Sequence, residues 1–187
     1  MTTRAPSPDD VLAAWRQREA ELRPRFAPPG LSHPDQVRGK TGLEIFQAML
    51  EGALPPPPIS ATLGFLLVEA ERGRAVFQGQ PLFQHYNPLG SVHGGWIATL
   101  LDSAVACAIH TMLPPGKSYT TVELKVNYVK ALTEKVPLVR AIGQAIHVGG
   151  RLATSDGRLL GPDGTLYAHA STTCFILDVP PPTSPRS

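Results

Sequence analysis

The chain has 187 residues, 42% of them hydrophobic and 17% charged, so it can form one compact domain with terminal segments and need not form two. The net charge of +2 is too small to indicate a nucleic-acid or membrane surface, and residues 1–58 carry seven basic and seven acidic side chains. Only two cysteines occur, Cys107 and Cys174, both within apolar runs. This usage is typical of a reducing compartment and predicts a cytoplasmic protein.

The amino terminus has no long apolar stretch behind its first charge, so we expect no export signal. The most apolar segment, residues 96–112, would span roughly 26 Å as a helix, which is shorter than a hydrocarbon core needs. Asp102 and His110 also interrupt it. We therefore expect a core helix that does not span a membrane.

Prolines divide the chain, because ten of the twenty precede residue 59 and four follow residue 179. We expect residues 1–58 to be a helical, proline-rich extension outside the core, with helices near 11–22 and 41–51 and a stiff spacer at 55–58. Residues 59–179 form the main domain in this interpretation. Residues 180–187 are expected to be a disordered, proline-rich tail.

The main domain changes from strand to helix and back to strand. Two apolar runs joined at Gly73 predict a hairpin, and a helix follows Gly94. Residues 120–129 then alternate with Val122, Leu124, Val126 and Tyr128 on one face, and 138–148, 151–160 and 165–177 continue as strands. A helix that is apolar on nearly all sides must be enclosed. The pattern thus predicts an α+β fold, an antiparallel sheet of about six strands wrapped around one long helix.

One segment, NPLGSVHGGWIATLLDSA from Asn87 to Ala104, joins a polar, glycine-rich turn to this helix. Asn87, Ser91 and His93 supply hydrogen-bonding groups, and Gly94 and Gly95 bring free backbone N–H groups to a helix start. Asp102 follows in a run where a carboxylate without a task would be costly. The segment therefore predicts an active site.

The string HGGWIATLLDSA, with Asn87-Pro88-x-Gly90 before it and Thr121-Val-Glu-Leu-Lys-Val-Asn-Tyr after it, resembles the phenylacetic acid degradation branch of the hotdog-fold thioesterases. The resemblance covers about residues 60–178. It implies an acyl-CoA thioesterase, in which Gly94, with Gly95 as a second donor, holds the thioester carbonyl oxygen. Asp102 is then either a general base for water or the direct nucleophile.

The resemblance implies further roles in the site. Asn87 would position the carbonyl or the water, His93 would ease departure of the thiolate, and Thr121 would orient the water. Thr120 is a rival for that last role, because strand parity places the two threonines on opposite faces. The structural alternatives are that Asn87 caps its turn, that His93 braces the loop, and that His110 caps the end of its helix.

Helix geometry adds a prediction about assembly. Gly94 and Asp102 lie eight residues apart, or roughly 12 Å along one helix, which is too far for both to act on one carbonyl carbon. Two antiparallel helices related by a two-fold axis would bring one glycine to the other carboxylate. We expect a homodimer with shared sites, and the resemblance adds that such dimers commonly pair into tetramers.

For the substrate, we expect Trp96, Leu100 and the apolar strand faces to provide the acyl pocket, and Ser91 to contribute to binding. Aromatic and medium-chain acyl groups, and coenzyme A or an acyl-carrier protein, all remain open. No metal and no cofactor besides the substrate's coenzyme A are expected, because the histidines lack metal-like spacing. The alternatives are a hotdog hydratase or dehydratase, which the glycine pair disfavours, and a non-catalytic acyl-CoA-binding module. We expect residues 1–58 to pack across the dimer or to cover the entrance of the site.

Overall fold

The computed structural model describes residues 5–179. Its helices are α1 (Pro8–Leu22), α2 (Pro34–Val37), α3 (Gly42–Leu50), α4 (Pro58–Leu63) and α5 (Gly94–His110). Its strands are β1 (Phe65–Glu71), β2 (Arg74–Gly79), β3 (Lys117–Tyr128), β4 (Val139–Val148), β5 (Leu152–Leu160) and β6 (Leu166–Asp178). The predicted order of two strands, one long helix and four strands is confirmed. The predicted tail at 180–187 lies outside the described residues.

The six strands form one antiparallel sheet in the order β1-β2-β4-β5-β6-β3, and α5 packs against all of them. Leu100, Leu101 and Ala104 of α5 are fully buried. The helix can approach β4 closely because residue 143 is glycine, whose Cβ would lie only 2.1 Å from the carbonyl oxygen of Ala104. This arrangement of a sheet around a central helix is the hotdog fold, as the sequence predicted.

One strand departs from the predicted alternation. A bulge between Thr121 and Glu123 inserts Val122 as an extra residue in β3, where it is 55% exposed instead of facing the core with Leu124. A bulge shifts the side-chain period by one. Thr121 therefore turns toward α5, on the face that Leu124 also occupies, although strict alternation had placed these two residues on opposite faces.

The amino-terminal extension is part of the packed structure, which corrects the expectation that it lies outside the core. Leu22 packs against Val68 and Val76 on the sheet face opposite α5, and Phe46 of α3 joins the central core. The buried Arg140 stacks on the ring of Trp15, 4.7 Å from its centroid. The division into an extension and a main domain stays a prediction. Within residues 5–179, no helix is long and apolar enough to cross a membrane.

Candidate active site

The loop before α5 uses its polar groups internally. The Asn87 side-chain oxygen accepts hydrogen bonds from the N–H groups of Leu89, at 2.8 Å, and Ser91, and its amide donates to the Ser91 hydroxyl at 3.1 Å. Gly90 closes the turn with φ +84°, a conformation that favours glycine. Asn87 and Ser91 therefore stabilise the conformation of the loop. For Asn87, this is the turn-capping role that the sequence offered as the alternative to a catalytic one.

At the start of α5, the two candidate oxyanion donors, the N–H groups of Gly94 and Gly95, differ in whether they already make a hydrogen bond. His93 is the N-cap, and its Nδ1 accepts the N–H of Gly95 at 2.8 Å. The N–H of Gly94 has no acceptor within the described residues, as expected of a first-turn donor. The Tyr128 hydroxyl donates to the carbonyl oxygen of Gly94 at 2.9 Å. At this helix end, a ligand oxygen therefore finds the Gly94 N–H free and the Gly95 N–H already engaged.

Asp102 lies half-buried on α5, and the Thr121 hydroxyl donates to its Oδ1 at 3.2 Å. Burial raises the pKa of Asp102 above its ordinary value of 3.8, and the hydrogen bond from Thr121 opposes that rise. Thr120 is exposed. Of the two threonines that the sequence left as rivals, the structure brings Thr121 to the carboxylate because of the bulge at Val122.

A cavity of about 990 Å³ opens beside Asp102. Its walls come from α5, from the start of β3, from β1 and β2, and from the extension. The residues that line it are Arg23, Phe26, Ala27, Pro29, Ile45, Phe46, Met49, Pro56, Pro57, Ser60, Ala61, Gly64, Phe65, Leu66, Leu67, Phe77, Asp102, Ser103, Ala106, Cys107, His110, Tyr119, Thr120 and Thr121. The carboxylate thus faces a largely apolar space, which is where such a group can act on an apolar ligand.

The cavity contains neutral polar groups at the carboxyl end of α5. Burial lowers the pKa of His110 to about 4, and the ring of Phe46 meets it edge-on at 5.1 Å. Burial also raises the pKa of Cys107 to about 12 and that of Tyr119 above its ordinary value. His110 is therefore uncharged at neutral pH and adds no positive charge to the carboxyl end of α5, where it is the last helical residue.

Two residues expected in the acyl pocket lie elsewhere. Trp96 is buried in the core, where its indole N–H donates to the carbonyl oxygen of Leu63 at 2.8 Å and its ring stacks on His85. Leu100 is fully buried. Neither residue lines the cavity, because Trp96 anchors α5 to the end of α4 instead of facing the open space.

The sequence suggested that the extension covers the site's entrance, but it did not identify which of its residues line the cavity, and it did not identify Tyr128 as a contact of Gly94. A signal for part of the cavity was present, because Asp102, Ala106 and His110 recur every four residues and share one face of α5. Two titratable residues on one face of an otherwise apolar helix indicate that this face does not pack only against the hydrophobic core.

The two ends of the candidate site are separated within one chain. α5 is one continuous helix, so Gly94 and Asp102 remain roughly 12 Å apart along its axis. Tyr128 contacts the first end and Thr121 the second, and these two residues lie seven positions apart on β3. Within a single chain, the Gly94 N–H and the Asp102 carboxylate therefore lie too far apart to contact the same atom.

Comparisons with known proteins agree with this fold. The sequence profile of the thioesterase superfamily matches residues 89–168. A 1,4-dihydroxy-2-naphthoyl-CoA hydrolase of Listeria monocytogenes is 28% identical over 91 residues, which are 49% of this chain and 72% of that protein.

Solved structures also resemble the chain. A phenylacetic acid degradation-related protein from Ralstonia eutropha JMP134 is 27% identical with a TM-score of 0.63, covering 70% of this chain and 98% of that one. A mutant of the phenylacetic acid degradation protein PaaI from Thermus thermophilus is 27% identical with a TM-score of 0.57, covering 63% of this chain and 97% of that one. The chain therefore has the hotdog fold, is similar to the thioesterase superfamily over residues 89–168, and is a thioester hydrolase.

Proposed function

We propose that the protein is an acyl-CoA thioesterase that releases an aromatic or medium-chain acid and free coenzyme A. The observation that carries this proposal is Asp102, a half-buried carboxylate held by Thr121 at the edge of an apolar cavity. A carboxylate in that position is costly unless it is used. Coenzyme A as the thiol is supported by the matched Listeria hydrolase, whose own substrate is a coenzyme A thioester.

In the reaction, water adds to the thioester carbonyl carbon while the Asp102 carboxylate accepts its proton. The carbonyl electrons move onto oxygen, where the N–H of Gly94 stabilises the developing negative charge at the positive end of α5. When the carbonyl re-forms, the C–S bond breaks and the thiolate takes up the proton. Direct attack by Asp102, which would form a mixed anhydride that water then hydrolyses, is the other route open to the same residue.

The site is completed by two subunits in this proposal. β3 is an edge strand of the sheet and carries exposed apolar side chains, including Val122 and Tyr128, each 55% exposed. Unpaired edges of this kind invite another strand. If two β3 strands pair antiparallel about a two-fold axis midway between residues 121 and 128, Thr121 of one chain lies opposite Tyr128 of the partner subunit. That pairing brings Asp102 of one chain to Gly94 of the partner subunit.

The remaining residues act around this core. His93 is a positioning residue, because its cap on Gly95 orients the first turn and leaves Gly94 as the oxyanion donor. Asn87 and Ser91 fix the preceding loop, and Thr121 orients Asp102 and its water. Ser91 and Gly95 make hydrogen bonds within the loop and the cap, and Trp96 is buried in the core. These residues contribute to substrate binding by maintaining the conformation of the loop and of the start of α5. Thr120 lies at the cavity mouth.

The test is release of free thiol from a panel of acyl-CoAs, from acetyl to palmitoyl and including benzoyl and phenylacetyl, by wild type and two variants. Asp102→Asn should lower kcat by about 10²- to 10⁴-fold, the usual contribution of a general base. Asp156→Asn is the matched control, because Asp156 is an exposed aspartate on β5, and it should keep wild-type activity.

Two outcomes would overturn the proposal. If wild type binds acyl-CoAs but releases no thiol from any of them, the protein is an acyl-CoA-binding module and not the proposed enzyme. If thiol is released and Asp102→Asn retains full activity, the role given to Asp102 is wrong. Hydration of an enoyl-CoA without thiol release would instead favour the hydratase alternative.

A further inference from the structure

The cavity beside Asp102 has one wall that the hotdog domain does not supply. Four of its large apolar lining residues come from the extension, with Phe26 following α1 and Ile45, Phe46 and Met49 on α3. The matched structures are covered over 97% and 98% of their own lengths while aligning with only 63% and 70% of this chain. About a third of this chain therefore lies outside each alignment, and the segment 89–168 excludes the extension entirely.

This wall makes direct backbone contacts with the helix that carries Asp102. The N–H of Gly42 donates to the carbonyl oxygen of Leu113 at 3.1 Å, and a Cβ at residue 42 would lie 1.8 Å from the carbonyl oxygen of His110. The start of α3 therefore rests directly on the carboxyl end of α5. Phe46 continues the contact by meeting the His110 ring edge-on.

The length of the cavity follows from α5. Asp102 and His110 both line it and lie eight residues apart, so the space extends roughly 12 Å along the helix. An extended covalent chain advances about 1.2 Å per bond, so about ten carbons fit between the carboxylate and the helix end. A one-ring acyl group would fill only the part nearest Asp102.

The charges of the side chains that line the cavity further restrict which acyl group it can bind. The three titratable side chains besides Cys107 and Tyr119 are Arg23, Asp102 and His110. The Arg23 guanidinium is paired with Glu19, and His110 is neutral at pH 7. Among the described residues, the walls therefore offer no unpaired cation for a second carboxylate on the acyl group, and aromatic and aliphatic side chains dominate the rest.

We infer that the extension is the specificity wall of the enzyme, and that α3 and the segment around Phe26 enclose an unbranched, uncharged acyl chain of about ten carbons that runs from Asp102 toward His110. This inference rests on the proposed thioesterase function and deepens it. The extension then serves substrate selection, and Met49 of α3 is one of the apolar side chains that bound the space for the acyl chain.

The test compares kcat/KM for decanoyl-CoA, butyryl-CoA and phenylacetyl-CoA. Wild type should prefer decanoyl-CoA over both others. Met49→Trp fills the space and should lower the decanoyl-to-butyryl ratio of kcat/KM at least tenfold, since one methylene in an apolar pocket already changes discrimination by about 10- to 200-fold. Gln47→Trp is the matched control, because Gln47 lies on the exposed face of the same helix, and it should leave the ratio unchanged.

Binding supplies a second measurement that does not need turnover. Calorimetric titration of decanoyl-CoA into Asp102→Asn should give an affinity at least tenfold higher than titration into the Asp102→Asn/Met49→Trp double variant. An unchanged ratio and an unchanged affinity in folded Met49→Trp proteins would overturn the inference while leaving the thioesterase proposal standing. So would a wild-type preference for phenylacetyl-CoA. Absence of thiol release in wild type would instead defeat the proposed function, and the titration would still decide whether the extension encloses the chain.

Discussion

The two ends of α5 are built in different ways. At its amino end, Asn87 and Ser91 hydrogen-bond each other and His93 caps Gly95, all within nine residues of sequence, and Tyr128 of β3 adds a contact to the Gly94 carbonyl oxygen. At Asp102, the partners come from β3, nineteen residues onward, and from the extension, more than fifty residues back. The first end is a local structure that a motif can encode. The second exists only when distant segments pack together, so its chemistry depends on the stability of the whole fold.

The largest effect on stability should come from detaching the extension from α5. Gly42→Ala places a methyl group within 1.8 Å of a backbone oxygen, so α3 must shift. We expect thermal unfolding to show a loss of about 3 kcal/mol, at the upper end for overpacking, together with loss of the preference for decanoyl-CoA.

Gly30→Ala is the control for this substitution. A Cβ at residue 30 would meet nothing closer than 3.7 Å, so its stability and chain-length preference should stay at wild-type values. If Gly42→Ala and Gly30→Ala had the same stability and the same chain-length preference, the close packing of α3 on α5 would be contradicted.

The next effect concerns pH. Asp102 must be ionised to accept a proton, and burial raises its pKa, so activity should fall as the pH drops through a value above 3.8. Removing the Thr121 hydroxyl removes a hydrogen bond that stabilises the carboxylate. Thr121→Ala should therefore move the acidic limb of the kcat profile to higher pH, so that its loss of kcat relative to wild type grows as the pH falls.

Thr120→Ala provides the comparison, because Thr120 is the neighbouring threonine on β3 and makes no hydrogen bond to Asp102. Its pH profile should match that of wild type. If Thr120→Ala shifts the limb and Thr121→Ala does not, the assignment of the two threonines is reversed.

At the amino end, changes should be smaller and local. His93→Ala removes the cap on Gly95 and should cost about 1 kcal/mol of stability, with a several-fold loss of kcat. His93→Asn retains a good capping residue but lacks the imidazole. Near-normal activity in His93→Asn would support a positioning role, whereas equal losses in both variants would mean that the imidazole itself contacts substrate.

The smallest effect should come from Tyr128→Phe, which removes the hydroxyl that donates to the Gly94 carbonyl oxygen. We expect a loss of about 0.5 kcal/mol in stability and a reduction in kcat of about twofold. Tyr86→Phe is matched to it, because the Tyr86 hydroxyl accepts from the backbone N–H of Glu134 and not from the helix start. A similar loss of stability with unchanged kcat in Tyr86→Phe would isolate the contribution of Tyr128 to the site.

Local signals account for what the sequence predicted correctly. The apolar run after Gly94 and the alternating segments predicted α5 and the strands in the right order, because each is set by periodicity within one element. Asp102 was recognisable as an acid in an apolar helix. The neighbourhood of Asn87 and His93 was also recognisable, since their hydrogen bonds are made within the same loop.

The remaining features depend on contacts between segments that are far apart in sequence. Nothing in residues 120–129 marks Val122 as a bulge, yet that extra residue turns Thr121 toward Asp102. Trp96 looked like a pocket residue because it follows the glycine pair, but its indole N–H is bonded to Leu63 in the core. The proline clusters suggested that the extension lies outside the core, whereas Phe46 is buried within it. Tertiary packing decides each of these cases.

The central claim is that one chain carries two half-sites, and mixed dimers test it most directly. Asp102→Asn lacks the carboxylate, and Gly94→Val blocks the helix start, where a Cβ would already lie 2.9 Å from the Tyr128 hydroxyl oxygen. Each variant alone should be nearly inactive. Heterodimers of the two, purified through different tags, contain one intact composite site and should recover about half of the wild-type thiol release per dimer. Heterodimers no more active than either parent would contradict shared sites.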